Sequence, residues 1–312
     1  MNISIVIVNW NAGLQLLSCV ASIAEHHSGL VSSVIIVDNG SSDDSLEQVE
    51  AQGRFPFQLK VIRNRGNSGF GSACNQGAAL VDGEFLLFLN PDTRLFDGSL
   101  SASLAYLQDA NHQDVGIVGI QLLDEKNCIA RSCTRFPSPV GFVFHALGLD
   151  RVFPRLGHFM AEWAHDTTRE VDHVIGAFYL MRNAVFQELS GFDERFFVYL
   201  EDLDLSFRAK KAGWRTMFLA NVQAFHAGGG TSNQVKARRM FYSLRSRLLY
   251  AFKHFGFIAA TSILLATLFL EPLSRTVLAL ARRSSSALKE TWSGYGMLWR
   301  WLPQWISKGV TR

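Results

Sequence analysis

The chain has 312 residues, of which 48% are hydrophobic and 18% charged, and its formal net charge is +3 at pH 7. This length suits one large domain or one domain with an appendage, and the composition excludes a disordered chain. Residues 1–204 hold 13 Lys or Arg against 25 Asp or Glu, whereas residues 205–312 hold 17 against two. The basic C-terminal part predicts a polyanionic partner, and the apolar residues between its cations favour an anionic membrane surface over nucleic acid.

The first 120 residues alternate apolar runs with stretches of helical spacing. The runs are 3–8, 34–37, 59–62, 85–89 and 115–119, and the helical stretches are 14–27, 43–52, 70–81 and 98–109. This order predicts an α/β fold with a mostly parallel sheet that is covered by helices on both faces. The N-terminus begins directly in a strand, with no basic region or cleavage site, so we expect the catalytic part to be cytoplasmic.

Polar residues follow four of these runs, and ligands of parallel sheets bind beyond the carboxyl ends of the strands. They occupy 9–11, 38–43, 64–71 and 90–93, so we expect one composite site. Asp38 suits either a hydrogen bond to a ribose or base, or the capping of a turn. Asp92 suits a hard cation that carries a diphosphate, although Asn-Pro-Asp is also good turn chemistry.

Several common sites are disfavoured by residue spacing. Gly66, Gly69 and Gly71 miss the dinucleotide-binding spacing, and the chain has no P-loop sequence. Cys128 and Cys133 have no matching second pair, so all four cysteines, with Cys19 and Cys74, are expected to be buried free thiols in a reducing compartment and not zinc ligands.

The second half of the chain is predicted to contain an irregular excursion over 121–170, a strand over 171–182, a helix over 200–213 and a strand over 218–226, followed by a glycine loop at 228–230. A basic helix over 234–255 and an apolar segment over 255–270, ended by Glu271-Pro272, come next. We expect a catalytic domain over 1–232 and a helical, membrane-associated region over 233–312.

Three acids, Glu201, Asp202 and Asp204, fall within four residues at the start of the predicted helix. Repulsion among them suits a general base, and an acidic first turn balanced by Arg208 and the following lysines is the alternative. His226 ends an apolar strand, where it is either a core histidine or a ligand of a metal or diphosphate.

Six segments taken together resemble the family 2 glycosyltransferases, and among them the bacterial rhamnosyltransferase-like members. The segments are SIVIVNWN (4–11), IIVDNGSSDDS (35–45), NRGNSGFGSACNQGA (64–78), FLLFLNPDTRL (85–95), IGAFYLMR (175–182) and GFDERFFVYLEDLDLSFRAKKAGW (191–214). The resemblance implies a GT-A fold and an inverting, metal-assisted transfer of one sugar from a nucleotide sugar.

The resemblance also assigns roles to residues. Asp202, with its neighbour Glu201, would be catalytic and deprotonate the acceptor hydroxyl. Asp92 and His226 would hold Mg²⁺ or Mn²⁺ with the diphosphate. The donor-binding residues would be Val8, Asn9, Asn11, Asp38, Asn67, Gly69, Asn75, Asn90 and Asp92.

Asn90-Pro91-Asp92 departs from the Asp-x-Asp of many relatives, and the rhamnosyltransferase-like branch shares this form. The resemblance therefore favours dTDP-L-rhamnose as the donor, with a UDP-hexose as the alternative. A nucleotidyltransferase is less favoured because residues 9–13 lack a glycine-rich basic loop. A third alternative is a non-catalytic membrane adaptor that has kept the fold.

Residues 236–253 hold six Lys or Arg and no acid, which predicts an interfacial helix on an anionic bilayer or a helix packed on the catalytic domain. The apolar segment 255–270 is shorter than the roughly 20 residues that span a bilayer, so it favours a re-entrant or in-plane segment. Tryptophans at 292, 299, 301 and 305 match an interfacial belt. We therefore expect a lipid-linked glycan acceptor, at the cytoplasmic face of the bacterial inner membrane.

Overall fold

The computed structural model describes residues 3–149, 152–228 and 236–311. By its internal contacts the chain divides into two compact units. The first comprises Met1–Thr134, Trp163–Asp193 and Asp202–Thr231, and the second Arg135–Glu162, Glu194–Glu201 and Ser232–Arg312. The expected boundary at 232 lies at positions 229–235, outside the described residues, as does part of the glycine loop, and it stays a prediction.

Strands and helices are interspersed over the first 226 residues, and the described elements that follow are all helical. The strands are β1 (Ile3–Asn9), β2 (Val31–Asp38), β3 (Gln58–Arg63), β4 (Phe85–Leu89), β5 (Thr93–Leu95), β6 (Val115–Leu123), β7 (Ile129–Ala130), β8 (Cys133–Thr134), β9 (Arg169–Val171), β10 (His173–Val174), β11 (Phe178–Arg182) and β12 (Arg215–His226). The helices are α1 (Leu14–His27), α2 (Ser45–Ala51), α3 (Phe70–Ala78), α4 (Ser99–Gln108), α5 (Pro139–Leu147), α6 (Asn183–Glu188), α7 (Glu201–Lys211), α8 (Lys236–His254), α9 (Phe257–Leu265), α10 (Glu271–Ala281) and α11 (Ser285–Lys308).

The first unit is built on one large sheet with the strand order β3-β2-β1-β4-β11-β6-β12-β5. Strands β1 to β4 pair in parallel, as do β6 and β12, whereas β11 runs antiparallel between β4 and β6. Every residue of β1 and β4 is buried, as expected for strands covered on both faces, because their side chains alternate between the faces. The predicted α/β fold with a mostly parallel sheet is confirmed.

Close packing of α3 on the sheet positions the loop that precedes this helix. Gly77 makes this possible, because a Cβ atom there would lie 2.5 Å from Val6 Cγ1. Helix α3 therefore lies directly on β1, and the polar residues 64–69 at its start are held near the end of that strand.

The prediction of one strand over 171–182 is wrong. The segment pairs with several different partners, since β9 pairs with β12, β10 with β8, and β11 with both β4 and β6. One straight strand cannot pair in all these places, so the chain bends between them. Its apolar composition predicted burial correctly but carried no sign of the changes of partner.

The second unit is helical, and it includes α5 of the excursion. A continuous helix of 25 residues runs over Phe257–Ala281, with a π-helical turn at Ala266–Leu270, and its mean hydropathy is 1.7. The expectation that Glu271-Pro272 ends this segment is wrong, because Pro272 lies in the first turn of α10, after the π-helical turn. Among the described residues this is the one helix long and apolar enough to cross a membrane, by length and composition.

Candidate active site

Asn9 and Asp38 lie side by side where β1 and β2 end. Their backbones are in register, and the fully buried Asn9 donates from Nδ2 to Asp38 Oδ1 (2.8 Å), Ser45 Oγ (2.8 Å) and Ser41 Oγ (3.1 Å). The backbone N–H of Ser41 donates to the other oxygen of Asp38 at 3.2 Å. Asn9 thus orients the Asp38 carboxylate, and a direct donor contact by Asn9 stays a prediction.

The turn beyond Asp38 is held by Asn11. Its Oδ1 accepts from the backbone N–H groups of Ser42 (2.7 Å) and Asp43 (3.3 Å), and its own N–H donates to Ser41 Oγ at 3.0 Å. Asn11 has a φ of 54°, a left-handed conformation that asparagine adopts more readily than most residues. Val8 is buried in β1 beside this turn.

Asn39 joins this turn to the loop before α3, and the sequence pattern did not single it out. Its Nδ2 donates to Asn67 Oδ1 (3.0 Å) and to the carbonyl of Gly69 (3.2 Å), while its Oδ1 accepts from Ser68 N–H at 3.0 Å. The two loops also touch, since a Cβ atom on Gly40 would lie 2.7 Å from Gly66 Cα. An Asn-Gly pair after a strand was the available signal, although the same pair also suits a simple turn.

Asn75 has a structural role in the described contacts. Its Nδ2 donates to the carbonyl of Phe192 and its Oδ1 accepts from the Phe192 N–H, both at 2.9 Å. This amide fastens α3 to the backbone near Gly191, where a Cβ atom would lie 2.6 Å from Asn75 Oδ1. A donor contact by Asn75 stays a prediction.

Asp92 and His226 meet because β5 pairs with the end of β12, which places Thr93 opposite His226. Asp92 Oδ1 lies 3.3 Å from His226 Nε2, and Asn90 Nδ2 lies 3.5 Å from the same nitrogen. Both side chains of the Asp92–His226 pair are partly exposed. His226 is therefore not an isolated core histidine, since it faces the carboxylate and amide at the end of β4.

The Asp92–His226 pair suits a divalent cation in part. A carboxylate oxygen and an imidazole nitrogen 3.3 Å apart are close enough to bind one ion together, and both are ordinary ligands of Mn²⁺ or Mg²⁺. The described ranges contain no group of three or more His, Cys, Asp or Glu side chains that could hold a metal. An ion here would take its remaining ligands from water or from a bound diphosphate.

Asp202 is held by backbone groups at the start of α7. Its Oδ2 accepts from Gly176 N–H and its Oδ1 from Leu203 N–H, both at 2.8 Å. Tyr199 and Leu200 just before it have φ values of 71° and 65°, and such strained residues often accompany functional sites.

The three acids of this segment have different environments. Asp204 is fully buried and pairs with Arg208 Nε at 2.8 Å, so the balanced-acid alternative describes Asp204. Glu201 is buried and belongs by its contacts to the second unit. Asp202 keeps partial exposure, in contrast to the other two acids.

All four cysteines lie in the described ranges and are free thiols, and the expectation that they are buried is wrong for Cys128, which is exposed on the loop that joins β6 to β7. Burial, together with the negative charge of Asp92, holds the pKa of the Cys19 thiol far above its usual value. Cys19 Sγ lies 3.6 Å from the Asn90 carbonyl, where it packs behind the loop as an uncharged group.

Comparisons with known proteins identify the family of the chain. The profile of the family described as "Glycosyltransferase like family 2" matches residues 1–246. The chain is 28% identical over 242 residues to an N-acetylglucosaminyl-diphospho-decaprenol L-rhamnosyltransferase of Mycobacterium tuberculosis, which covers 72% of this chain and 76% of the relative. It is 26% identical over 191 residues to rhamnosyltransferase WbbL of Escherichia coli, with 58% and 69% covered.

Solved structures share the fold at low sequence identity. The mannosyltransferase PcManGT of Pyrobaculum calidifontis, in complex with GDP-Man and Mn²⁺, aligns with a TM-score of 0.56 at 16% identity over 99% of this chain and 81% of its own. Residues 1–349 of S. aureus TarS, in complex with UDP-GlcNAc, align with a TM-score of 0.55 at 16% identity over 94% and 78%. With the family profile matching most of its length, the chain belongs to glycosyltransferase family 2 and is a glycosyltransferase of the GT-A fold.

Proposed function

We propose that this enzyme transfers a single L-rhamnose, with inversion, from dTDP-L-rhamnose to a lipid-linked glycan. The observation that carries the proposal is the approach of Asp92 and His226 to 3.3 Å at the end of β4, beside the Asn90 that replaces a second carboxylate. Two relatives are named as rhamnosyltransferases, and one of those names includes a diphospho-decaprenol acceptor. A UDP-hexose donor is the second candidate, since TarS was solved with UDP-GlcNAc.

Asp92 and His226 would hold a Mg²⁺ or Mn²⁺ ion together with the donor. When bound, such an ion neutralises the negative charge that develops on the leaving diphosphate. With one carboxylate in the pair, the protein alone offers the ion few anionic ligands. The donor's diphosphate would complete the set, so ion and nucleotide sugar would bind together.

The remaining donor contacts follow from the first cluster of polar residues. Asp38, oriented by Asn9, presents a carboxylate that can accept hydrogen bonds from a ribose or a base. Asn11 holds the turn beside it, and Asn39 holds the loop with Asn67 and Gly69 against that turn. A nucleoside would lie across these two loops, whose backbones are already ordered by side-chain amides.

Asp202 would act as the base that removes the proton of the acceptor hydroxyl. A well-placed base contributes typically 10²–10⁴-fold to a rate. Two backbone N–H groups hold its carboxylate, so little reorganisation is needed when the acceptor arrives. One base and no covalent intermediate give inversion at the anomeric carbon.

The second unit would dock on an anionic membrane surface, at the cytoplasmic face of a bacterial inner membrane. The helix Phe257–Ala281 carries an exposed apolar stripe that comprises Ile258, Leu265, Phe269, Leu273, Val277 and Leu280. Its spacing of mostly three or four residues puts these side chains on one face. The apolar stripe favours a lipid surface over a nucleic-acid partner for this basic unit, because apolar side chains do not suit phosphates.

An in-plane orientation suits this helix better than a crossing. Its opposite face, with Ala260, Ile263, Ala266 and Ala279, is buried, and the helix packs on α8 and α11. Both neighbours carry exposed charges, such as Arg238 on α8 and Arg300 on α11, so neither can follow it into a bilayer core. One face in lipid and one face on protein is the arrangement of a monotopic helix.

A panel of nucleotide sugars tests the proposal. We expect dTDP-L-rhamnose with Mn²⁺ to raise the melting temperature and to be consumed when a polyprenyl-diphosphate-linked sugar is added. Asp92→Asn should lose the metal-dependent stabilisation, whereas Asp82→Asn, a change of an exposed acid outside the site, should keep it. Binding of UDP-hexoses alone would favour the second candidate, and binding of no nucleotide sugar with Mg²⁺ or Mn²⁺ would refute both.

A further inference from the structure

A line of hydrogen-bonding side chains lies behind Asp202 within the first unit. Tyr179 Oη is 2.8 Å from Ser206 Oγ, and Ser206 Oγ is 2.9 Å from His173 Nδ1. The other ring nitrogen, His173 Nε2, lies 3.6 Å from Asp202 Oδ2. Tyr179, Ser206 and His173 are buried, and they come from β11, α7 and β10 respectively.

Burial favours the neutral form of the His173 imidazole. Burial lowers the pKa of His173 below its usual value, and the opposing attraction of Asp202 and Asp172 does not restore it. A neutral imidazole has one N–H and one lone pair, so the two ring nitrogens must have different roles.

The neighbours of His173 select one tautomer. With the proton on Nδ1, the lone pair of Nε2 would face the Asp202 carboxylate, which is repulsive. With the proton on Nε2, that N–H points its positive end at Asp202, Ser206 donates to Nδ1, and Tyr179 donates to Ser206. The O–H groups of Ser206 and Tyr179 then each have an acceptor, and the Nε2–H of His173 faces the Asp202 carboxylate.

We propose that His173 is a positioning residue for Asp202, which it orients through its Nε2–H, and that Ser206 and Tyr179 fix its tautomer. This inference rests on the proposed role of Asp202 as the base. At 3.6 Å the contact is an electrostatic one, longer than a hydrogen bond, and Gly176 N–H holds the same oxygen at 2.8 Å.

The arrangement distinguishes the two oxygens of Asp202. Oδ2 faces two donors, Gly176 N–H and His173 Nε2–H, whereas Oδ1 accepts only from Leu203 N–H among the described contacts. A carboxylate oxygen has two acceptor sites. Oδ1 therefore keeps one open site, and we assign it the proton of the acceptor hydroxyl.

Other charged groups around this line leave that assignment intact. Asp204 and Arg208 pair with each other on α7, and their combined charge is zero. Asp172 precedes His173 and opposes the lowering of its pKa by burial. The one carboxylate within 4 Å of His173 Nε2 in the described contacts is that of Asp202.

Two substitutions of His173 test the roles of its two ring nitrogens one at a time. His173→Asn puts an amide near the place of Nδ1 and loses the donor that faces Asp202, whereas His173→Gln extends an amide N–H toward Asp202. We expect kcat to fall about tenfold in His173→Asn, the size of one lost contact to a charged group, with KM nearly unchanged. The acidic limb of kcat/KM should move to higher pH, because the ionised carboxylate loses a favourable dipole, and His173→Gln should recover most of both effects.

Matched controls separate positioning from folding. His165 is another buried histidine of the first unit, whose Nε2 accepts from the Cys133 N–H at 3.2 Å. His165→Asn should lower thermal stability and leave the acidic limb in place. Should His173→Asn fail to fold, Ser206→Ala provides the second variant, with a kcat loss of about threefold and a limb displaced in the same direction.

Asp202→Asn distinguishes a failure of the proposed base from a failure of the positioning role of His173. Wild-type activity in Asp202→Asn would overturn the proposed base, and with it the positioning role. Loss of activity in Asp202→Asn, together with a pH profile of His173→Asn and of Ser206→Ala that matches the wild type, would overturn the positioning role alone. Equal losses in His173→Asn and His173→Gln would likewise overturn it, because the Nε2 donor would then be irrelevant.

Discussion

The apolar stripe of the helix Phe257–Ala281 is the feature whose loss should separate this enzyme from membranes. We would replace Phe269, Leu273 and Val277 by serine in one variant. These side chains are 63%, 60% and 67% exposed, so their removal leaves no cavity in the second unit. Folding should be little affected, because surface substitutions away from special contacts usually change stability by about 0.5 kcal/mol or less.

The expected loss of membrane affinity follows from the exposed fraction. Full burial of such a side chain is worth roughly 1.5–3 kcal/mol, so burying the exposed part, about two thirds, is worth roughly 1–2 kcal/mol for each. Three side chains together contribute roughly 3–6 kcal/mol, which corresponds to a fall of about 10²–10⁴-fold in the partition coefficient.

Flotation with vesicles of phosphatidylethanolamine and phosphatidylglycerol measures this partition. Leu80→Ser, which alters an exposed leucine of the first unit, is the control and should float like the wild type. Added salt should weaken the binding of the wild type to these vesicles, because Arg282 and Arg283 are exposed at the end of the stripe and attract anionic lipid.

Two results would contradict the reasoning. Unchanged flotation of the triple variant would show that the stripe does not face lipid. Labelling of the two ends of the helix from opposite sides of a sealed vesicle would show that the helix crosses the bilayer, since both ends of an in-plane helix lie on one side.

Three further predictions concern single residues. Mn²⁺ alone should stabilise the enzyme little, and Mn²⁺ with a nucleoside diphosphate should stabilise it strongly in thermal melts, because Asp92 is the one carboxylate beside His226 in the described contacts; strong stabilisation by the ion alone would contradict this. Gly176→Ala should lower kcat at nearly unchanged stability, since its Cβ would lie 3.3 Å from Asp202 Oδ2; steady-state rates beside a melting curve measure the difference, and equal losses of both would contradict it. Glu271→Gln should destabilise the second unit by about 3 kcal/mol or more in denaturant titrations, because Arg247 would be left as a buried charge without its carboxylate partner. The control is Glu290→Gln, which removes the partner of Lys236 in a solvent-accessible ion pair. It should change the free energy of unfolding by less than about 1 kcal/mol; an equal loss in both variants would contradict the prediction.

The sheet could be predicted because its strands are buried on both faces. Continuous runs such as 85–89 are long enough to identify a strand and too short for a buried helix. The polar residues after them follow from the same pattern, since parallel strands end at one edge. Asp38 and Asp92 were thus placed at strand ends by the sequence alone.

Changes of pairing partner could not be predicted in this way. The segment 169–182 is apolar through most of its strands, and apolar character does not reveal whether the neighbour is β12, β8 or β4. The excursion presents a similar difficulty. Its α5 contacts α9 and α10. A short apolar helix among prolines is predicted to be buried, but its sequence does not indicate which helices it packs against.

His173 shows why the surroundings of Asp202 stayed hidden. A lone histidine in an apolar stretch is most often a satisfied core residue, and the sequence contains nine histidines. The distinction arises from two short strands, because the pairing of β10 with β8 aligns His173 with Thr134 and leaves its ring between Ser206 and Asp202. Ser206 lies four residues after Asp202, so one turn of α7 presents both groups to the same ring. The sequence predicts the helical spacing of Asp202 and Ser206. The imidazole ring between these two side chains belongs to a strand residue 33 positions before Ser206, and only the fold brings that ring to the helix.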